Sequence, residues 1–454
     1  MDITIIIDKS TFQSLNYSEL YRLSCYYQHI ITPVLTMEIL GDLKKEVAEG
    51  KPASEDRVKD FANKLFPVET IINLHYKKLV IGDLLGNSIT LDGRPIVGIE
   101  KSVESNGGQK GFLLNETVEE KSIYKWKEGN FSDADQIFSF LWRMTTTNEE
   151  VLKRLKENIK SELPNNIKNF HELNYVVDKY LSNPDNQQNF LFALIQNYEI
   201  DALAGVEIFN RWNIEGKPQL KKFAEYAYHC LKVDTLFLFG LASGLISNRP
   251  TNRVDLEYLY YQPFGNLFSS NDKVHKNLAP LLLRPYQKFI LGTDLKQDFK
   301  LIVEYIENLE LQERKFYKNK PPINETSLTF QLWREYFGYP ERSNWNRNIS
   351  ETEKEMMRGK IKEFEKAIQG DNINLQSSDE AGFVYKKSYL AKKDPCFCGS
   401  GKKIIECCLT ENEFDKLVLE QIQKNGKGDT TGNKLEIGEA VFLSDSPNID
   451  ERLE

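Results

Sequence analysis

Histidine is scarce in this sequence. The 454 residues hold five, His29, His75, His171, His229 and His275. None stands in a His-Glu-x-x-His pair, because His171-Glu172 meets Tyr175 where a helix-borne zinc site needs a second histidine. Histidine-driven acid-base or nucleophilic chemistry is therefore poorly supplied. A phosphate-cradling Gly-x-x-x-x-Gly-Lys-[Ser/Thr] loop is also missing. Gly399-Ser-Gly-Lys-Lys403 lacks the hydroxyl residue after lysine, and Gly107-Gly-Gln-Lys-Gly111 is only a glycine cluster. The most apolar run, Leu236 to Ile246, is broken by Gly240 and Gly244. It is about half the roughly 20 residues of a membrane span and reads as a buried helix. The chain opens on a strand-like stretch without a basic leader, a long apolar region or a small-residue cleavage site. These absences predict a cytoplasmic protein with no membrane contact.

The composition, 40% hydrophobic and 28% charged, is that of an ordinary globular protein, and 454 residues suffice for two or three domains. A formal charge of -8 argues against a broadly basic nucleic-acid coat and leaves room for a local basic channel. Cys25 and Cys230 lie in apolar, helix-like surroundings, and the other four of the six cysteines crowd into Cys396 to Cys408. In a long intracellular chain such a cluster points to metal rather than disulfide.

Ile3-Thr-Ile-Ile-Ile-Asp8 predicts a buried strand ending on an aspartate, followed by Ser10 as N-cap and a helix over Phe12 to Tyr27. Ile30-Ile31 suggests a second strand, and Thr32-Pro33 starts a helix running to Ala48 with Glu38 and Asp42 on one face. Beyond the polar link from Gly50 to Ser54 comes a short helix, then Val68 to Leu85 as another. Ser88 to Ile99 predicts a hairpin turning at Asp92-Gly93, and Glu100 to Glu120 a loop. Helices dominate from Ser132 to Ile246, and further helical patterns cover Asp298 to Leu311, Ser327 to Tyr336 and Ser350 to Ile368. The polar stretch Asp371 to Glu380 predicts flexibility, and the tail beyond about Gln423 disorder.

The segment Asn252 to His275 mirrors the N-terminus. It predicts a helix carrying Asp255, a turn at Pro263 to Gly265, and a short strand from Phe264 to Ser269 leading to Asp272. Asp8, Glu38, Asp255 and Asp272 thus occupy comparable places at strand ends and in helices. Their oxygens are hard ligands suited to Mg2+ or Mn2+, the ions that phosphodiester hydrolysis uses. Each aspartate alone is more often a cap or turn residue than a ligand. Glu257, Asp42 and Asp83 are spare acids, and Lys273 and His275 are candidates for phosphate contact, a solvated lysine or a helix cap.

The constellation resembles the PIN-like nuclease family, in which an aspartate ends the first strand, a glutamate lies in a following helix, and two aspartates flank the last helix and strand. Asp8, Glu38, Asp255 and Asp272 are the matching positions. The resemblance implies an α/β/α sandwich with a parallel central sheet and metal-dependent cleavage of RNA, less often DNA. It covers residues 1 to about 50 and about 245 to 295. The long separation of Glu38 from Asp255 departs from a compact domain of roughly 120 to 150 residues and implies a helical insertion.

Lys393-Asp-Pro-Cys-Phe-Cys-Gly-Ser-Gly-Lys-Lys-Ile-Ile-Glu-Cys-Cys408 supplies four soft thiolates about a Gly-Ser-Gly turn, the donor set of a closed tetrahedral zinc site. It is similar to the SEC-C motif. Cys396, Cys398, Cys407 and Cys408 match its ligands, while Phe397 and Ile404-Ile405 depart from the commoner proline and tyrosine-lysine. The surrounding lysines 386, 387, 392, 393, 402 and 403 suggest a nucleic-acid or acidic-protein contact, or a solvated face.

The expected organisation is an α/β PIN-like core of residues 1–99 and 245–295, with a mostly helical insertion of 100–244. A helical extension of 296–385, an SEC-C zinc module of 386–411 and an acidic tail of 412–454 follow. The expected function is a Mg2+- or Mn2+-dependent endoribonuclease whose structural Zn2+ module docks substrate or a protein partner. The alternative is a non-catalytic adapter with a degenerate PIN-like core.

Overall fold

The computed structural model describes residues 3–47, 52–65, 70–104, 110–114, 117–147, 150, 153, 156–157, 167–340, 383–392, 403–406, 409–425 and 434–442. The chain divides into two compact units. One holds Ile3–Ile96 and Ser122–Glu304, the other Met1–Asp2, Val97–Lys121 and Tyr305–Glu454.

The first unit is α/β, with mostly helical connections around a five-stranded parallel sheet of order β3-β2-β1-β6-β7. Its strands are β1 (Thr4–Ile7), β2 (Gln28–Ile31), β3 (Thr70–Ile72), β6 (Leu267–Ser270) and β7 (Lys288–Leu291). Isoleucine-rich β1 is central, pairing Ile5 with His29 on one side and with Leu267 on the other. Every residue of β1 and β6 is buried. Successive side chains point to opposite faces, so both faces of these strands are covered, as a parallel sheet requires. From β1 the chain winds outward through β2 and β3, and later through β6 and β7 on the other side. The winding reverses between β1 and β6, and in open α/β sheets ligands enter beyond the C-terminal strand ends at such a reversal.

Local chemistry explains several departures from the sequence reading. The helix expected over Phe12 to Tyr27 is two, Lys9–Ser14 and Tyr17–Tyr26, because Asn16 and Glu19 form a capping box between them. The cap of the first is Asp8, not Ser10, since Asp8 accepts from the Thr11 N–H. The helix at Pro33 ends at Gly41 rather than Ala48. A Cβ at Gly41 would run into the Trp142 indole, and the Lys44 N–H turns aside to donate to Ser139 Oγ at 3.1 Å. Val68 to Leu85 is not one helix. It contains β3, which pairs with β2, and then the helix Tyr76–Leu84 capped by His75. Thr70-Ile-Ile72 is a short apolar run of the kind that periodicity cannot assign to strand or helix. The same holds for β7, hidden in the apolar stretch after Leu278.

The expected hairpin at Ser88 to Ile99 is absent, as residues 88–98 form no strand. Asp92-Gly93 is a turn in which Gly93 takes φ 83° and its N–H donates to the Pro263 carbonyl.

The second unit contains a four-stranded sheet of order β4-β5-β8-β9. The expected loop of Glu100 to Glu120 supplies β4 (Ile99–Glu104) and β5 (Lys110–Leu114), antiparallel partners. β5 runs parallel to β8 (Phe383–Ala391), which pairs antiparallel with β9 (Lys434–Phe442). β9 lies in the tail expected to be disordered. Its Leu435, Ile437 and Val441 are strand formers, and a partner strand outweighs the polar composition around them. The helix Glu411–Asn425 packs Phe414 and Val418 on Ile404, which is fully buried. One of the isoleucines departing from the SEC-C pattern therefore serves as core. Cys396, Cys398, Cys407 and Cys408, the helical pattern at Ser350 to Ile368 and the polar stretch from Asp371 lie outside the described residues.

Candidate active site

Asp8 follows β1 directly and is buried at the sheet reversal, with its N–H donating to the Ser269 carbonyl of β6. Its carboxylate accepts from the Thr11 N–H at 2.9 Å, from Ser10 Oγ at 2.8 Å and from Ser270 Oγ at 2.7 Å. Ser270 Oγ lies 2.7 Å from His275 Nδ1, which is itself 3.5 Å from Asp8 Oδ2. Burial pushes the Asp8 carboxyl up, but His275, Ser270 and the Thr11 N–H together hold it below the ordinary aspartate range.

His275 is the residue the sequence undervalued. Its ring is fully buried, and Nε2 lies 2.5 Å from the Asp255 backbone carbonyl. Burial alone would lower its pKa. The hydrogen bond and charge of Asp8, together with Asp255, hold it at about 9, so the ring is a cation at neutral pH. The sequence offered one signal, a histidine three residues beyond Asp272 in a chain that has few.

Asp272 caps the helix Lys273–Leu278 by accepting from the Val274 N–H at 2.7 Å, and its own N–H donates to Ser270 Oγ. Asp255 lies in the first turn of the helix Asn252–Leu259. Its carboxyl is raised to about 8, first by burial and then by the charges of Asp272, Glu38 and Asp8, against the lowering effect of His275. One helical turn on, Tyr258 donates its hydroxyl to Glu38 Oε2 at 2.8 Å. Glu38 is raised by burial, with Asp8 and Asp42 adding to it and Lys9 opposing. It keeps 23% of its side chain exposed, which leaves the cluster open to solvent on that side.

Lys9, adjacent to Asp8, is a second internal cation that the sequence reading passed over. Its ammonium donates to the Glu38 backbone carbonyl at 2.8 Å, and lies 2.9 Å from Asp42 Oδ2 and 3.8 Å from Glu38 Oε1. Asp42 also meets Lys45 and Arg57, so it is part of the charge network holding the Glu38 helix. Asp83 is structural: it accepts from the Ala227 N–H at 2.9 Å. Glu257, on another face of its helix, feels Arg253, Asp234, Lys77 and Tyr76 and belongs to a separate cluster.

Asp8, Glu38, Asp255 and Asp272 thus form one electrostatic neighbourhood beyond the C-terminal ends of β1 and β6. Hard carboxylate oxygens around a carboxyl pushed up by burial and by three like charges suit a divalent cation. Among the described residues, however, no group of three or more His, Cys, Asp or Glu side chains is set to hold a metal ion. Asp8 and Asp272 turn their oxygens to backbone N–H and hydroxyl donors instead. Carboxylate oxygens are the donors a hard cation takes, while His275 and Lys9 place positive charge beside them. No membrane-spanning helix occurs among the described residues. Comparison of the chain with protein families, with curated proteins and with solved structures finds no match.

Proposed function

We propose that this chain is a PIN-like, Mg2+- or Mn2+-dependent nuclease that cleaves RNA in preference to DNA, with Asp8, Glu38, Asp255 and Asp272 as cation ligands. The observation that carries the reading is the gathering of these carboxylates at the sheet reversal, where the charges of Asp272, Glu38 and Asp8 add to burial in raising Asp255. A bound divalent cation would supply the positive charge that an anionic phosphate needs in an acidic pocket, and would lower the pKa of an attacking water. Ser10, Ser270 and the Thr11 N–H hold the Asp8 carboxylate in place, and the Tyr258 hydroxyl orients Glu38. Asp8, Glu38, Asp255 and Asp272 would hold such a cation, and its charge would offset the mutual repulsion that helps to raise Asp255. The PIN-like α/β/α layering is part of the same proposal.

The test is cleavage of single-stranded RNA and DNA with Mn2+ or Mg2+, comparing wild type with Asp8→Asn and Asp272→Asn. The expected result is RNA cleavage lost in both variants with their folding retained. Activity that survives both substitutions, or persists in excess chelator, overturns the reading.

A second reading, a non-catalytic adapter, is favoured by one observation: Lys9 and His275 already place positive charge within the acidic cluster. A wild-type chain that is folded, binds Mn2+ weakly or not at all and cleaves neither nucleic acid would establish it. Either reading includes a structural Zn2+ on Cys396, Cys398, Cys407 and Cys408, with the module docking substrate or a protein partner. Metal analysis should find about one zinc per chain, lost in Cys396→Ser; a zinc-free wild type would end that part.

A further inference from the structure

We propose that the cavity lined by the helices Phe170–Leu181 and Glu225–Ala242 and by residues 281–284 is a binding site for a nucleoside phosphate. The cavity measures about 820 Å³, within the roughly 300 to 1,000 Å³ usual for small-molecule sites. Tyr175, Asp178, Lys179 and Ser182 follow helical spacing on one wall, as do Glu225, Tyr228, His229 and Lys232 on the other. Each wall thus presents one coherent face to the same space.

The charges select an anion. Lys232 is paired with Asp178 at 2.7 Å and Arg284 with Glu225 at 2.6 Å, which uses both carboxylates of the lining. Lys179 and Lys221 are exposed and, among the described residues, have no carboxylate partner. His229 is buried, with Nε2 against the Leu259 carbonyl, and burial brings its pKa down to about 4, so it adds no charge. Two ammonium groups are left to meet phosphate oxygens.

The remaining surface asks for more than inorganic phosphate. Tyr175 is 68% exposed and Tyr228 half-buried, both available to stack on a base, while Leu281 and Leu283 add half-buried apolar surface. A ligand joining a planar, partly apolar body to a phosphate fits both halves of the lining. A free mononucleotide and the phosphorylated end of an RNA strand share this chemistry. The cavity contains none of the four proposed cation ligands, so binding there is independent of the nuclease reading.

The experiment is calorimetric titration of the full chain, in excess chelator, with adenosine 5′-monophosphate, adenosine and inorganic phosphate. The nucleotide should bind, with adenosine and phosphate each at least about tenfold weaker. Lys179→Ala/Lys221→Ala should weaken nucleotide binding by about tenfold or more, and Tyr175→Ala should weaken it as well. These side chains are exposed, so unchanged thermal melting separates lost binding from unfolding. Displacement of the nucleotide by a 5′-phosphorylated RNA oligonucleotide, but not by its 5′-hydroxyl counterpart, assigns the strand end as ligand. Binding that neither strand disturbs assigns the free nucleotide. No nucleotide binding, or binding that the double substitution leaves unchanged, overturns the proposal. Asp8→Asn should bind the nucleotide like wild type, so failure of either proposal is read separately.

Discussion

The imidazole of His275 lies 3.5 Å from the Asp8 carboxylate, with Ser270 Oγ touching both, although 267 positions of chain separate the two residues. Removing the ring leaves a buried carboxylate without its cation. His275→Leu should therefore destabilise the fold by about 3 kcal/mol or more, the usual cost of breaking a buried ion pair. Urea denaturation of wild type and variant at pH 7 measures the difference. A change below about 1 kcal/mol would show that His275 does not compensate Asp8.

Close packing at the sheet reversal makes a second expectation. Gly292 begins the helix after β7, and a Cβ there would collide with Thr11 Oγ1 and lie 2.6 Å from Asn271 Nδ2. Thr11 is fully buried and its hydroxyl donates to the Ser269 carbonyl, so it has no room to swing away. Gly292→Ala should cost about 1 to 3 kcal/mol, the range for overpacking, in spite of alanine's better helix propensity. Thermal melting checks it, and an unchanged or raised Tm would show that Thr11 and Asn271 yield freely.

A third expectation concerns acid. His29 in β2 is fully buried, neither ring nitrogen has a hydrogen-bond partner among the described residues, and burial lowers its pKa from 6.5 to about 4. Between those values the unfolded chain binds the proton that the folded chain refuses. The corresponding stability is complete above pH 6.5 and is lost progressively down to about pH 4. Between pH 7.5 and pH 5 this single group should cost wild type about 2 kcal/mol. His29→Phe should lose correspondingly less over the same interval. Parallel acid sensitivity in variant and wild type would remove His29 as a source.

Much of the site was legible in the sequence because its signals are short-range. Asp8 ends a run of isoleucines, Thr32-Pro33 announces the helix bearing Glu38, and Asp272 falls where an apolar strand stops. Lys9 and His275 were not legible as partners, since their contacts depend on which strands become neighbours. Strands of three or four residues such as Thr70-Ile-Ile72 and Lys288-Phe-Ile-Leu291 carry too few side chains to display a period. β9 becomes a strand through its pairing with β8, a relation between distant segments that local composition does not express. The proposed nucleotide cavity was likewise invisible, because its lysines gain meaning only when two of their neighbours turn out to be neutralised by carboxylates.

The pairing of Ile5 with Leu267 in the sheet also bears on how the molecule is made. A ribosome adding roughly 5 to 20 residues per second needs on the order of ten to fifty seconds between these two residues. For that interval β1 has its β2 neighbour at most, and Asp8 has neither Ser270 nor His275. An interrupted translation product ending just before β6 would carry Asp8, Glu38 and Asp255 without Asp272. Whatever chemistry the completed cluster performs, the nascent chain is exempt from it until most of the first unit has been synthesised.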